Sequence, residues 1–526
     1  MSGAYPTAGF DLANVAVQAN PYPAYAWLRA NAPVYRLAGV PMWVVSRHAE
    51  VEAVLRDPAT YASDLGMHVP LMSMVMRDAP DHTRLRQTVT RAFTPRAVAH
   101  LEPRIRSVAE ALLDAGTPDG DSHAATAALS IHAATTVIDS HAATAATNTH
   151  AATAAIDPHA ATAAMDFVQA YANPLSVTVI CEMLGVPLDQ RDAMNRHARD
   201  ALLASFAATG MGSAELRAEA EVGLGQLMAI LDAAIERHLA APTDNIISTL
   251  VAEESRGTLN REELRNLCAL LLIGGHETTA NMIASGAYIL AETPALWARL
   301  KADPSLIPRF VEELARLRPP LQRIARRATR PVTLAGVELP ANALLMLFPG
   351  SANRDAARWA DPDTLDLTRD ARGHLGFGTG VHTCPGAPLA RLEARIAFEV
   401  LLARSDALRF DPTQRAIPIA GYAAGNLGWN VLPLLRTASG PRPMSSPPDL
   451  FDPVCTVVAD CLGLERSEIV AKTCARTTPE WDSLAHLMIL DALEKRFAVK
   501  LPRRAAYTAK DVGELAALVA TTRAAG

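Results

Sequence analysis

The stretch HLGFGTGVHTCPGAPLAR, His374 to Arg391, decides the fold, because it surrounds one cysteine, Cys384, with the residue types an anionic sulfur needs. Gly378, Gly380 and Gly386 let backbone approach that sulfur. Glycine reaches positive φ without strain, so one loop can aim several N–H groups at it. Pro385 cannot donate and stiffens the loop instead. The following APLARLEARIAFEVLLA has helical periodicity, which puts Cys384 at a helix N-terminus, where the dipole favours a thiolate. Such a sulfur suits axial ligation of a haem iron, pushing electron density onto the metal and favouring O–O cleavage. Alone, a cysteine in a Gly-rich turn is more often a small buried hydrophobe. Four further motifs tip the balance.

The pattern FGxGxHxCxG resembles the cysteine-ligand loop of the cytochromes P450, and four other stretches match that family in its order along the chain, from near residue 10 to about residue 435. The resemblance implies a mainly α fold with small β-sheets, a haem b held by Cys384, and oxygen activation. In DAPDHTRLR, residues 78–86, it places His82 and Arg86 against the haem propionates. Two cations one helical turn apart suit a dianionic edge.

A long apolar run, Leu267 to Leu290, is interrupted by GGHETT. Its length is that of a membrane span, but a Gly pair, a His, a Glu and two Thr at its middle would be costly in lipid, so it is expected as a helix buried in a globular core. Gly274 and Gly275 weaken a helix by up to about 1 kcal/mol each, and Thr can divert backbone hydrogen bonding. A local opening is therefore expected. By resemblance, Thr278 would hydrogen-bond the iron-bound oxygen and Glu277 would relay protons, which is general acid catalysis. The plainer reading is a threonine bonded back to its own helix.

Glu313 and Arg316 form an ExxR pair at i, i+3 within FVEELARLRPP. With SANRDAARWADPDTL, residues 351–365, they resemble the charge network that holds the family's cysteine side together, a structural role. RRATRPVTLAGVELPANALLMLFPG reads as short strands around turns, with alternation at Val332, Leu334 and Val337 and a turn near Pro340. Its Arg326 aligns with a propionate-binding arginine, with Arg327 as the rival, and His382 completes the anionic clamp.

Composition bounds the rest. A net charge of −6 over 526 residues offers no field for nucleic acid. The first 30 residues lack a basic region followed by an apolar run, so neither signal peptide nor membrane anchor is expected, and a cytoplasmic enzyme is. Six cysteines show no CxxC pair or disulfide framework. His123, His132, His141, His150 and His159 recur every nine residues, each opening HAAT. Nine residues turn a helix by about 900°, placing successive histidines on opposite faces, against metal binding by a rigid element. The segment 121–165 is expected as an insertion loop on the surface of the haem domain, 1–436.

A Pro/Ser-rich linker, 437–449, precedes a domain of different character, 450–526. FDPVCTVVADCLGL, PEWDSLAHLMILDALEKRF and KDVGELAALVATT read as amphipathic helices, with Leu484, Leu487, Leu490, Leu493 and Phe497 on the apolar side of the second. A small helical bundle is expected. WDSL resembles the attachment site of acyl and peptidyl carrier proteins, which makes Ser483 the residue for a 4'-phosphopantetheine arm. Ser and Asp also suit a plain helix N-cap, and Glu480 and Trp481 stand where a Leu-Gly pair often precedes the Asp.

Together the two halves imply a haem-thiolate monooxygenase acting on an acyl or aminoacyl thioester, as in polyketide or nonribosomal peptide assembly. The partners implied are a ferredoxin or flavodoxin with its reductase, a phosphopantetheinyl transferase, and a loading ligase or synthase module. Two alternatives are a free small molecule as substrate, and a chain that is chiefly a carrier scaffold.

Overall fold

The computed structural model describes residues 14–37, 41–67, 72, 74–115, 162–207, 214–419, 425–439, 451–470 and, between 473 and 525, all but 475–477, 479–480, 482, 498, 503–505, 507–508 and 510. It divides into two compact units, 1–439 and 440–526. The histidine repeats, from His123 to His159, lie outside the described residues.

The first unit is mostly helical. Its main helices are α1 (Asp81–Thr90), α2 (Glu102–Ala115), α3 (Asn173–Leu184), α4 (Ala214–Ala240), α5 (Arg261–Glu292), α6 (Ile307–Leu317) and α7 (Ala387–Arg404). α5 is the axis of the core. Asn260 caps it reciprocally with Glu263, the side-chain oxygen of each accepting the other's backbone N–H. Leu264, Leu267, Leu272, Ile283 and Leu290 are fully buried along it. Among the described residues, α5 is the helix long and apolar enough to cross a membrane; 72% of its apolar window is buried inside the protein, as in a core helix. The expected opening at Gly274 does not break it, since the helix continues from residue 261 to 292. Packing on α3, α4 and α7 holds it, and this outweighs two unfavourable glycines.

The strands are β1 (Val34–Arg36), β2 (Met42–Val45), β3 (Tyr61–Ala62), β4 (Thr162–Asp166), β5 (Ile324–Ala328), β6 (Leu344–Leu347), β7 (Ser405–Phe410) and β8 (Pro433–Ala438). Five form a sheet in the order β1-β2-β6-β5-β3, mostly antiparallel with β2 and β6 parallel. Val332–Leu334 and Val337–Leu339 make the expected hairpin, turned by Ala335 and Gly336 at φ 49° and 78°. A three-stranded sheet, β4-β8-β7, corrects two expected boundaries. Thr162 to Met165, assigned to the insertion, pair with β8 in register Thr162↔Thr437 to Met165↔Leu434. Thr437 and Ala438, assigned to the linker, are strand residues. Ala-rich and Thr-Ala sequences carry little strand signal of their own, and the partner strand sets the structure here.

The second unit has its own core, built from α8 (Phe451–Leu462), α9 (Ser483–Phe497) and α10 (Val512–Ala525). Val454, Val458, Ile489, Leu493, Leu515 and Val519 are fully buried in it. Leu490 and Leu493 face the core as expected, but Leu487 is 44% exposed and Ile489 takes its place. At 100° per residue the buried stripe is centred between Ile489, Leu490 and Leu493, which leaves Leu487 at its margin.

Candidate active site

The cysteine loop is shaped by its glycines. Gly378 and Gly380 sit at φ 68° and 73°, and a Cβ on Gly380 would collide with the Leu55 carbonyl. The Cys384 N–H donates to Phe377 O at 2.9 Å, folding the loop back on itself. α7 begins three residues later, so the N–H groups of Gly386 and Ala387 reach the sulfur. Burial pushes the Cys384 thiol up, opposed by those two N–H groups and by Arg86 and Arg391. Cys384 lies deep among protein atoms yet keeps accessible surface, so it faces an internal cleft. Gly274 is exposed in the middle of the otherwise buried α5 and opens on the same kind of space. Thr278, one turn on, donates its hydroxyl to Gly274 O at 2.6 Å. That is the plainer of the two arrangements expected. It uses the hydroxyl proton and leaves the Oγ lone pairs to accept another donor.

Between α1 and the cysteine loop, basic groups converge, with Asp78 as the carboxylate acting on His82 and Arg326. The His82 and His382 rings lie 3.9 Å apart, tilted by 38°. Ser63 Oγ and His382 Nε2 are 2.8 Å apart. Burial, then the charges of His82, Arg326 and Arg86, push the His382 pKa down to about 3. Burial brings Arg326 down to about 10, against the pull of Asp78. The His82 Nε2 is buried with no partner. Arg326 points inward from β5, while Arg327 is engaged elsewhere, donating to Asp64 O and Asn342 Oδ1 at 2.8 Å each. The alternation of the strand decides between the two arginines. An orphaned imidazole nitrogen and four convergent basic groups above a cleft-facing cysteine are what a dianionic iron macrocycle requires. His82, Arg86, Arg326 and His382 would hold its acid groups and Cys384 its metal.

On the far side of the loop, Arg316 is fully buried with all five N–H groups bonded. Nε and Nη2 grip Glu313 at 2.7 and 2.9 Å, and the other three go to the carbonyls of Asn353, Pro362 and Thr364. Arg369 also reaches Glu313, at 3.3 Å.

Sequence reasoning missed a second brace. His374 Nδ1 accepts the Gly376 N–H at 3.1 Å, so its proton sits on Nε2, 3.2 Å from Glu312. Arg391 grips the same carboxylate and lies 4.4 Å over the Phe377 ring. Burial opposes ionisation of Glu312, but these bonds outweigh it and hold its pKa at about 2. The signal was present in that His374 and Arg391 bound the quoted motif.

The family model "Cytochrome P450" matches residues 12–410. Vitamin D(3) 25-hydroxylase of Pseudonocardia autotrophica is 37% identical over 400 residues, 73% of this chain and 86% of that one. Erythromycin C-12 hydroxylase of Saccharopolyspora erythraea is 35% identical, covering 79% and 94%. The crystal structure of P450BioI in complex with an acyl carrier protein ligated to hexadec-9Z-enoic acid superposes with a TM-score of 0.66 at 28% identity, covering 80% of this chain and 99% of that one. The chain belongs to the cytochrome P450 family. It is a cytochrome P450 monooxygenase with haem ligated by a cysteine thiolate.

Proposed function

We propose that this enzyme hydroxylates, or oxidises by two electrons, an acyl or aminoacyl group held as a thioester on its own C-terminal unit, in the assembly of a secondary metabolite. The observation that carries this reading is the joining of a P450 unit to a small helical unit whose second helix begins at Ser483, within WDSL. That P450BioI is known in complex with a ligated acyl carrier protein supports it, because a closely similar fold accepts a substrate presented this way. The 12 residues 439–450, between the last strand of the first unit and the first helix of the second, could extend at most ~42 Å. Short linkers give effective concentrations near millimolar, which populates even a weak encounter.

In this reading the haem, when bound, supplies oxygen activation from a thiolate-ligated iron. Cys384 holds the metal, and His82, Arg86, Arg326 and His382 seat the acid groups. Thr278, its proton given to Gly274 O, accepts a hydrogen bond in the cleft with Oγ, and Glu277 passes protons toward it. Electrons come from a ferredoxin or flavodoxin with its reductase. A phosphopantetheinyl transferase installs the arm, and a ligase or synthase module loads it.

Erythromycin C-12 hydroxylase, at 35% identity, favours a second reading in which a free small molecule is oxidised and the carrier serves another enzyme. Intact mass spectrometry after incubation with a phosphopantetheinyl transferase and coenzyme A tests the first. The native chain should gain one phosphopantetheine and Ser483→Ala none. With acyl-coenzyme A as donor, oxidation should then appear on the arm of the native chain alone. No gain of mass returns Ser483 to a helix cap.

A further inference from the structure

One carboxylate holds both ends of the cysteine motif. His374 stands ten residues before Cys384 and Arg391 seven after it. Glu312, on α6, accepts from His374 Nε2 at 3.2 Å and from Arg391 Nη2 at 3.1 Å, with Arg391 Nε in a closer bond. The loop between them is pressed onto the same helix, since a Cβ on Gly376 would collide with the Ala315 carbonyl. His374 fixes the entry of the loop through the Gly376 N–H. Arg391 lies over the Phe377 ring, and the Phe377 carbonyl accepts the Cys384 N–H. The two arms of the clasp therefore end on adjacent residues, Gly376 and Phe377, and Phe377 carries the contact on to Cys384.

The clasp is charged, although apolar packing would serve a strut as well. Arg391 and Arg86 are the two cations that act on the Cys384 sulfur. A positive charge beside a metal ligand favours the more negative state of the site. Uptake of one electron, with no proton taken and no bond made to the protein, makes the site more negative by one charge. Arg391 therefore favours reduction. Glu312 is ionised at neutral pH, its pKa held at about 2 by His374 and Arg391 against burial, and it cancels part of that charge. We propose that Glu312 is a positioning residue for the metal ligand that also sets its reduction potential, clasping both ends of the motif and limiting the Arg391 charge felt at Cys384. The inference rests on Cys384 as the iron ligand. The side chains of Arg391 and Glu312 are 39% and 34% exposed, and a hollow of about 220 Å³ lined by Glu312, His374, Phe377, Thr383 and Arg391, among others, lies against the loop. Salt therefore reaches the pair and screens it.

The test uses the full-length, haem-loaded chain and reads the ferric–ferrous midpoint potential by spectroelectrochemistry in Glu312→Gln, Arg391→Gln and the double variant. Glu312→Gln should raise the midpoint and Arg391→Gln should lower it, each changing the ratio of reduced to oxidised chain at the native midpoint several-fold. The double variant should fall between them, both shifts should shrink in high salt, and Arg391→Lys, which keeps the charge, should restore most of the native value. Single variants that leave the midpoint unchanged, or that move it in the same direction, overturn the proposal and leave the clasp a plain strut. Should Glu312→Gln fail to retain haem, Arg391→Gln decides alone, because Arg391 is partly exposed and its loss opens no core; a lowered midpoint upholds the proposal and an unchanged one overturns it. A native chain without the thiolate-type ferrous–carbon monoxide spectrum would fell the reading of Cys384, and this inference with it.

Discussion

Two buried polar regions flank the cleft, and they differ in one respect. Arg316, beyond the cysteine loop, has a partner for every N–H it carries. On and beside α5, Asn281, Ser285, Arg318 and Trp429 each keep an atom without one. A saturated network over-determines its own geometry and holds a loop still, whereas each bond left unmade in an unsaturated one costs stability. The first suits a wall behind a metal ligand.

The largest effect that tests this contrast is at the wall's purpose. Cys384→Ser should abolish oxidation and the thiolate-type ferrous–carbon monoxide spectrum, while far-ultraviolet circular dichroism stays native. Arg316→Met comes next, because it takes from the buried Glu313 carboxylate its two short guanidinium bonds and leaves Arg369, at 3.3 Å, as its cation. A loss of about 3–5 kcal/mol is expected in denaturant titration, with poor haem retention. Were Arg316→Met to cost no more than an exposed ion pair, the saturated network would not be what holds the loop.

Acid sensitivity sharpens the comparison from the cleft itself. In the haem-free chain the His382 pKa is pushed down to about 3, and that of the fully buried His276 to about 4. Both are depressed from an ordinary value near 6.5, so the unfolded chain binds protons that the fold refuses. Their contribution is whole above pH ~6.5 and is lost as pH falls toward 3–4, at roughly 1.4 kcal/mol per unit for each group. Haem acid groups beside His382 should reverse its share. Acid unfolding of the haem-loaded chain should therefore begin at lower pH than that of the haem-free chain, and His382→Gln should narrow the gap. The smallest effect is a choice between neighbours. Arg326→Gln should weaken haem retention measurably, and Arg327→Gln should change stability by no more than about 0.5 kcal/mol.

Much of this was legible in the chain. The cysteine loop, the ExxR pair and the α5 motif announce themselves because each packs its chemistry into a few adjacent residues, and helical periodicity of 3.6 then says what shares a face. The β4 strand was not legible, since Thr162–Asp166 is a strand only against β8, some 270 residues away. Nor was Leu487, whose exposure follows from how three helices of the second unit divide one small core.

By itself, the sequence determined the cysteine loop, the order of the motifs and the presence of two units, because those rest on residue type and local spacing. Tertiary structure alone decided that Arg326 rather than Arg327 faces the cleft, that Glu312 ties His374 to Arg391, and that Asn281 and Ser285 inside α5 each keep an atom without a partner. Those depend on what stands opposite, and hydrogen bonds are satisfied or denied across space by groups far apart in the chain.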